Sequence, residues 1–232
     1  MAKNDQTNQG KIKVTKNGPY VVSGGVPLNE KIIVTDAEGF SHSWHRGKQF
    51  SAGEKYALCR CGGSKNKPFC DGTHLTNNFD GAETAPAKAC ARRIEGPGLD
   101  LIDAESLCAN ARFCDRAGGI NHLIEKSGDN ASRQVAIEEA CNCPSGRLVV
   151  EEKEGKVIEP ELEPSVALVQ DPSQGVSGPL WVQSNIPVES AAGAAYEVRN
   201  RVTLCRCGHS KNKPFCDGKH IEARFSDGSD AL

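Results

Sequence analysis

The sequence predicts an α+β protein on three observations: one stretch occurs twice almost letter for letter, strand-like runs lead into each copy, and a segment of helical periodicity separates them. Residues 58–74 read LCRCGGSKNKPFCDGTH and residues 204–220 read LCRCGHSKNKPFCDGKH, differing only at Gly63/His209 and Thr73/Lys219. Three units follow: a first half at 11–84, a small, partly helical middle segment at 85–164, and a second half at 165–232.

Composition sets the limits. Of the 232 residues only 38% are hydrophobic and 5% aromatic, with 24 Gly and 12 Pro, which disfavours one large core. Small units bury too little surface to hold themselves, so metals or covalent links are expected to help. The polar opening MAKNDQTNQG lacks the apolar core of a secretory signal and the Arg-rich character of a transit peptide, so the chain is expected to be cytoplasmic. In a reducing compartment the 11 cysteines favour metal ligation over disulfides. No apolar run approaches the roughly 20 residues that span a bilayer, and a formal net charge of -2 gives no general pull toward nucleic acid, so neither a membrane nor a nucleic-acid partner is expected.

Each half is expected to open on a short strand, since Gly18, Pro19, Tyr20 and Val21 face Gly178, Pro179, Leu180 and Trp181. Residues 31–35 and 198–204 read as further strands. In the middle segment Asp103 is the expected N-cap of a helical stretch over 107–113, and Ser132 of a second through Val135, Ile137 and Ala140. The acidic, Pro-containing run 151–164 reads as a solvated connector.

The duplicated stretch has the pattern C-x-C-x8-C-x3-H: Cys59, Cys61, Cys70 and His74, then Cys205, Cys207, Cys216 and His220. Residues i and i+2 of a strand point to one face, so Cys59 and Cys61 can chelate one metal ion together. Lys65 to Pro68 form the turn that brings Cys70 back. If Asp71, Gly72 and Thr73 make a helical turn, Cys70 and His74 share a face and can hold a second ion, with Asp71 accepting backbone N–H groups. Three thiolates and one imidazole also suit tetrahedral zinc, so a zinc-stabilised structural or interaction module stays open as the alternative. Zinc fingers usually space paired cysteines more widely than the single residue found here.

The string from Cys59 to His74, with Ser64, Pro68, Asp71 and Gly72 in place, resembles the signature of the CDGSH iron-sulfur family. The second copy departs at Lys219, where the family usually has Ser, Ala or Thr, and which is not a ligand position. The resemblance implies two 2Fe-2S clusters. In each, the first two cysteines hold the inner iron and the third cysteine with the histidine holds the outer, more exposed one. It also implies that the two halves pack about a pseudo-twofold axis into one short-stranded β cap, making the chain a monomer with an internal pseudo-dimer.

A neutral imidazole in place of a thiolate removes negative charge, so each cluster should accept an electron more readily than an all-cysteine one, and acid should loosen it. The expected role is non-enzymatic: electron transfer, or cluster storage and delivery to a redox partner or acceptor protein. His209 is expected to make the two potentials unequal, and Arg60, Lys65, Lys67, Arg206, Lys211 and Lys213 either to serve solubility or to tune the clusters and steer an acidic partner. Cys108 and Cys114, followed by Cys143, resemble part of a divergent single-cluster ferredoxin-like segment, but a full set of four ligands would need Cys141 as well, and the C-x2-C-x2-C run of bacterial ferredoxins is missing. Reduced structural cysteines are the preferred reading there, over a third cluster. Cys90 reads as a buried small apolar residue, and His42, His45 and His122 as surface residues, the first two in a loop or strand end.

Overall fold

The computed structural model describes residues 10–232. The reading of the N-terminal ten residues therefore lies, except for Gly10, outside the described residues. The chain is α+β. Its first part contains strands β1 (Lys11–Val14), β2 (Tyr20–Ser23), β3 (Leu28–Thr35), β4 (Ser41–Phe50) and β5 (Lys55–Leu58). The middle contains β6 (Arg92–Glu95), β7 (Leu99–Asp103), α1 (Ile120–Glu125), α2 (Asn130–Asn142), β8 (Leu148–Glu152) and β9 (Val157–Ile158). The last part contains β10 (Ser165–Asp171), β11 (Val176–Gln183), β12 (Val188–Glu189), β13 (Arg201–Leu204) and the short α3 (Lys219–Glu222).

Two of the sheets exchange strands between the repeated parts. One runs β12-β1-β2-β5 and the other β13-β11-β10-β3-β4. Thus β12 of the last part lies parallel to β1, and β3 of the first part lies parallel to β10. The alternation of side chains explains why they meet face to face. Ile12, Val14, Tyr20, Val22 and Leu58 turn inward from one sheet, and Val166, Leu168, Leu180, Val182 and Leu204 from the other, into a single core. Lys11 and Lys13 turn outward and pair with Glu189.

Every residue of β10 and β11 is buried, because a second layer covers their outer face. There Ala167, Val169 and Trp181 pack with Ile33, Trp44 and Phe113, the last contributed by the middle segment. That segment has its own sheet, β6-β7-β8-β9, whose Leu99, Leu101, Leu148 and Val150 pack on Ile120, Leu123, Ile124, Ala136 and Ala140.

Several expectations for the middle segment need correction. Residues 107–113 form no α-helix, only 3-10 turns at Glu105–Leu107 and Phe113–Gly118. Asp103 cannot cap one, since it ends β7 and its carboxylate is held by Arg92 and Arg147, at 3.0 and 2.6 Å. The second helix is capped by Asp129, which accepts from Ser132 N–H at 2.9 Å, so Ser132 lies three residues inside. The acidic run is not simply solvated: Glu151 pairs with Arg93, Glu152 with Arg133, and Glu159 with the fully enclosed Arg201. Cys90 is exposed rather than buried. His42 and His45 are exposed as expected but sit within β4, where residue 45 pairs with Ile32.

Glu139 on α2 is fully enclosed, and neither of its oxygens has a hydrogen-bond partner among the described residues. The nearest cation is Arg116, 3.8 Å away. Burial pushes its carboxyl up to about 8 against the attraction of Arg116. The folded form therefore holds a proton that the unfolded chain releases near 4.5, so stability falls as pH rises through that window to about 8. Glu139→Gln should melt higher than wild type above pH 8, with the difference vanishing below pH 5. Thermal melts across that range check it.

Candidate metal centres

Each duplicated motif is a closed loop on the end of a strand. After β5, Cys59 N–H donates to Pro68 O at 2.8 Å and Cys70 N–H to Ala57 O at 2.9 Å, folding Cys70 back beside Cys59. The turn between is held internally: Ser64 Oγ donates to Phe69 O at 2.7 Å and accepts from Asn66 N–H, and Lys67 Nζ donates to Ser64 O at 2.7 Å. Asp71 accepts from the backbone N–H groups of Lys65 and Thr73 and from the Thr73 hydroxyl, which together hold its carboxyl well below the usual carboxylate range. Gly72 at φ 89° permits the turn into Thr73–Leu75, which carries His74.

The candidate ligands meet in twos. Cys59 Sγ lies 3.8 Å from Cys61 Sγ, and Cys70 Sγ lies 3.4 Å from His74 Nδ1. In the second copy the same two separations are 3.7 and 3.5 Å, between Cys205 and Cys207 and between Cys216 and His220. Among the described residues, no three His, Cys, Asp or Glu side chains gather as a candidate site for one ion. The second loop repeats the scaffold through Pro214, Ser210, Lys213 and Asp217. It differs where Lys219 replaces Thr73: the hydroxyl bond is lost, and Lys219 Nζ pairs with Glu222 at 2.8 Å.

The two motifs touch. Cys61 and Cys207 form an antiparallel β-bridge, and a Cβ on Gly62 would lie 2.4 Å from Cys207 O. The first half also supports the second site directly, since the buried Tyr20 hydroxyl sits 2.8 Å from Cys205 O and 2.9 Å from Pro214 O.

Residues 17–75 and 177–221 match the family described as iron-binding zinc finger, CDGSH type, and residues 94–153 match the divergent 4Fe-4S mono-cluster family. The chain is a tandem CDGSH protein with a divergent ferredoxin-like middle segment. Comparison with curated proteins and with solved structures gave no match.

In this tandem CDGSH chain the donor chemistry fits an iron-sulfur group. Cys205 and Cys207 are in contact, and the hydrogen bond between them pushes the Cys205 thiol down and the Cys207 thiol up. Burial pushes Cys216 well above the usual thiol range and, with Arg206 nearby, His220 down to about 4. Such buried soft donors resist charge on their own, and a bound cation is what makes several adjacent thiolates stable.

The two CDGSH sites differ in exposure. Of the first four candidate ligands only Cys59 is buried, whereas Cys205, Cys207, Cys216 and His220 all are. The basic residues divide as well. Arg60 and Arg206 are enclosed and serve neither solubility nor steering, while Lys65 and Lys211 are exposed. Arg60 donates to Gly81 O at 2.7 Å between the rings of Tyr20 and Phe79. Arg206 donates to Gly178 O and Val169 O and pairs with Asp227.

In the middle segment Cys108, Cys114 and Cys143 line one pocket. Burial, then Asp115 and the neighbouring Cys143 and Cys108, push Cys114 up to about 12. Cys141, which the sequence suggests as a fourth ligand, instead opens on a separate groove with Trp44 and Pro160, beside Arg201. Cys108, Cys114 and Cys143, grouped by their resemblance in the sequence, share one pocket lining although a whole helix separates Cys143 from Cys114.

Proposed function

We propose that the chain binds one 2Fe-2S cluster at Cys59, Cys61, Cys70 and His74 and one at Cys205, Cys207, Cys216 and His220. We further propose that these serve one-electron transfer or the storage and delivery of clusters, with no reaction catalysed by the chain. The observation that carries this is the pairing of donors, two thiols and then thiol with imidazole, at separations that repeat within 0.1 Å between the copies. Two chelating pairs per site suit two metal ions bridged by sulfide, with histidine raising the potential over an all-cysteine site. The exchange of β3 and β12 between the sheets supports a pseudo-twofold relation of the halves within a monomer. The free thiols of all 11 cysteines suit a reducing compartment such as the cytoplasm.

The cavity with Cys108, Cys114 and Cys143 supports a third iron-sulfur centre held by three thiolates, in place of the plain reduced cysteines expected from sequence. Purified protein is expected to be coloured, to lose visible absorbance on reduction and then to show paramagnetic resonance signals. Mixed with an apo-ferredoxin, it should give up a cluster, an electron, or both. A colourless protein with stoichiometric zinc contradicts the reading.

A further inference from the structure

The second CDGSH site faces into the molecule, and what covers it is the middle segment. Asn110 lies directly over Gly218, close enough that a Cβ there would be 2.4 Å from its Nδ2. Ser106 O accepts a hydrogen bond from Asn212 Nδ2 at 2.8 Å, tying the cover to the turn between Cys207 and Cys216. Arg112 fastens it further on, gripping the buried Asp171 with two bonds of 2.7 and 3.0 Å and Ser173 Oγ with a third.

The same stretch of chain is the wall of the other centre. Residues Ala109, Asn110, Ala111 and Pro144 line a small pocket with His220, and they also line the pocket holding Cys108, Cys114 and Cys143. One thickness of polypeptide thus separates His220 from the three-cysteine set. The bridge between Cys61 and Cys207 joins the second site to the first. The second CDGSH site therefore borders both of the other sets of candidate ligands.

We propose that the redox partner of the second CDGSH site is the three-cysteine centre of the same chain, reached through the wall at Asn110 and Ala111. The second site retains its cluster, and the first site alone serves external partners. The inference rests on the reading that these sites hold iron-sulfur clusters. The step is one electron exchanged between the centre at Cys205, Cys207, Cys216 and His220 and the centre at Cys108, Cys114 and Cys143, one being oxidised as the other is reduced. No bond forms or breaks, and the electron enters through the first site from a reduced one-electron carrier protein and leaves through it to an oxidised one.

The test uses the full loaded chain in two measurements. With an iron chelator in excess, loss of 2Fe-2S absorbance and of mass in native mass spectrometry should be biphasic, the second cluster leaving at least about tenfold more slowly because the cover must open first. Arg112→Ala should speed the slow phase and leave the fast phase alone. If Arg112→Ala fails to fold, Asn110→Gly does the same job, since Asn110 sits at φ 54° where glycine is unstrained. In partly reduced protein, the paramagnetic resonance signal of the second site should be broadened by spin coupling that Cys114→Ser removes. Equal loss rates, or a signal unchanged by Cys114→Ser, overturn the inference while leaving the clusters in place. Protein that holds no iron overturns the underlying reading instead.

Discussion

Arg206→Ala should destabilise the protein by about 3–5 kcal/mol, as expected when one partner of a buried ion pair is removed. The guanidinium is 3% exposed and is used on every side. Nε donates to Gly178 O at 2.7 Å, Nη2 to Val169 O at 3.0 Å, Nη1 meets Asp227, and Cζ lies 5.3 Å from the Phe225 ring centre. Truncation strands a buried carboxylate and two strand carbonyls next to the second cysteine motif. For a chain of this size the melting point should drop by roughly 6 to 20 °C.

The acid profile carries a further signature. Asp227 is held down to about 2 against the penalty of burial, chiefly by Arg206. Its folded value lies below its ordinary 3.8, so the stabilisation is full above that and is lost as pH falls toward 2. In Arg206→Ala that loss between pH 4 and pH 2 should disappear. Arg60 makes the contrast: among the described residues it has no carboxylate within salt-bridge distance, so Arg60→Ala leaves no stranded charge and should cost less. Denaturant melts of both variants at pH 7 and pH 3 check the pair.

Replacing the third cysteine of either motif should remove that motif's cluster and spare the other. Cys70 and Cys216 each pair with a histidine on a turn fixed by a neighbouring aspartate, and a serine hydroxyl does not supply the soft thiolate the site needs. Cys70→Ser and Cys216→Ser should each lose about two irons per chain, and the double variant about four. Cys90→Ser and Cys141→Ser should lose none, since the first is exposed and the second faces a groove away from the other middle cysteines. Iron and acid-labile sulfide assays on the purified variants measure the difference.

The candidate ligands were legible because spacing alone constrains them. Cys59 and Cys61 alternate onto one face, and Asp71 with Gly72 turns the chain so that His74 comes back to Cys70, all within local sequence. Of the strand-like runs, 31–35 lies within β3 and the end of 198–204 forms β13, but the strand that leads into the first motif, β5 at Lys55–Leu58, was not among them. What escaped depended on distant residues. Arg60 and Arg206 read as surface charges, but their partners, Gly81 and Asp227, lie 21 residues further along. Asp103 looked like a helix cap because Arg147, which takes up its carboxylate, lies 44 residues away. The unequal burial of the two sites had no sequence signal at all, since their motifs are almost identical and the cover comes from the intervening segment.

The most direct test of two binuclear centres is an anomalous scattering map at the iron edge from crystals of the purified protein. Two resolved iron peaks are expected beside the pair Cys59/Cys61 and the pair Cys70/His74, and two again beside their counterparts at Cys205/Cys207 and Cys216/His220. One isolated metal peak in either pocket would contradict the account.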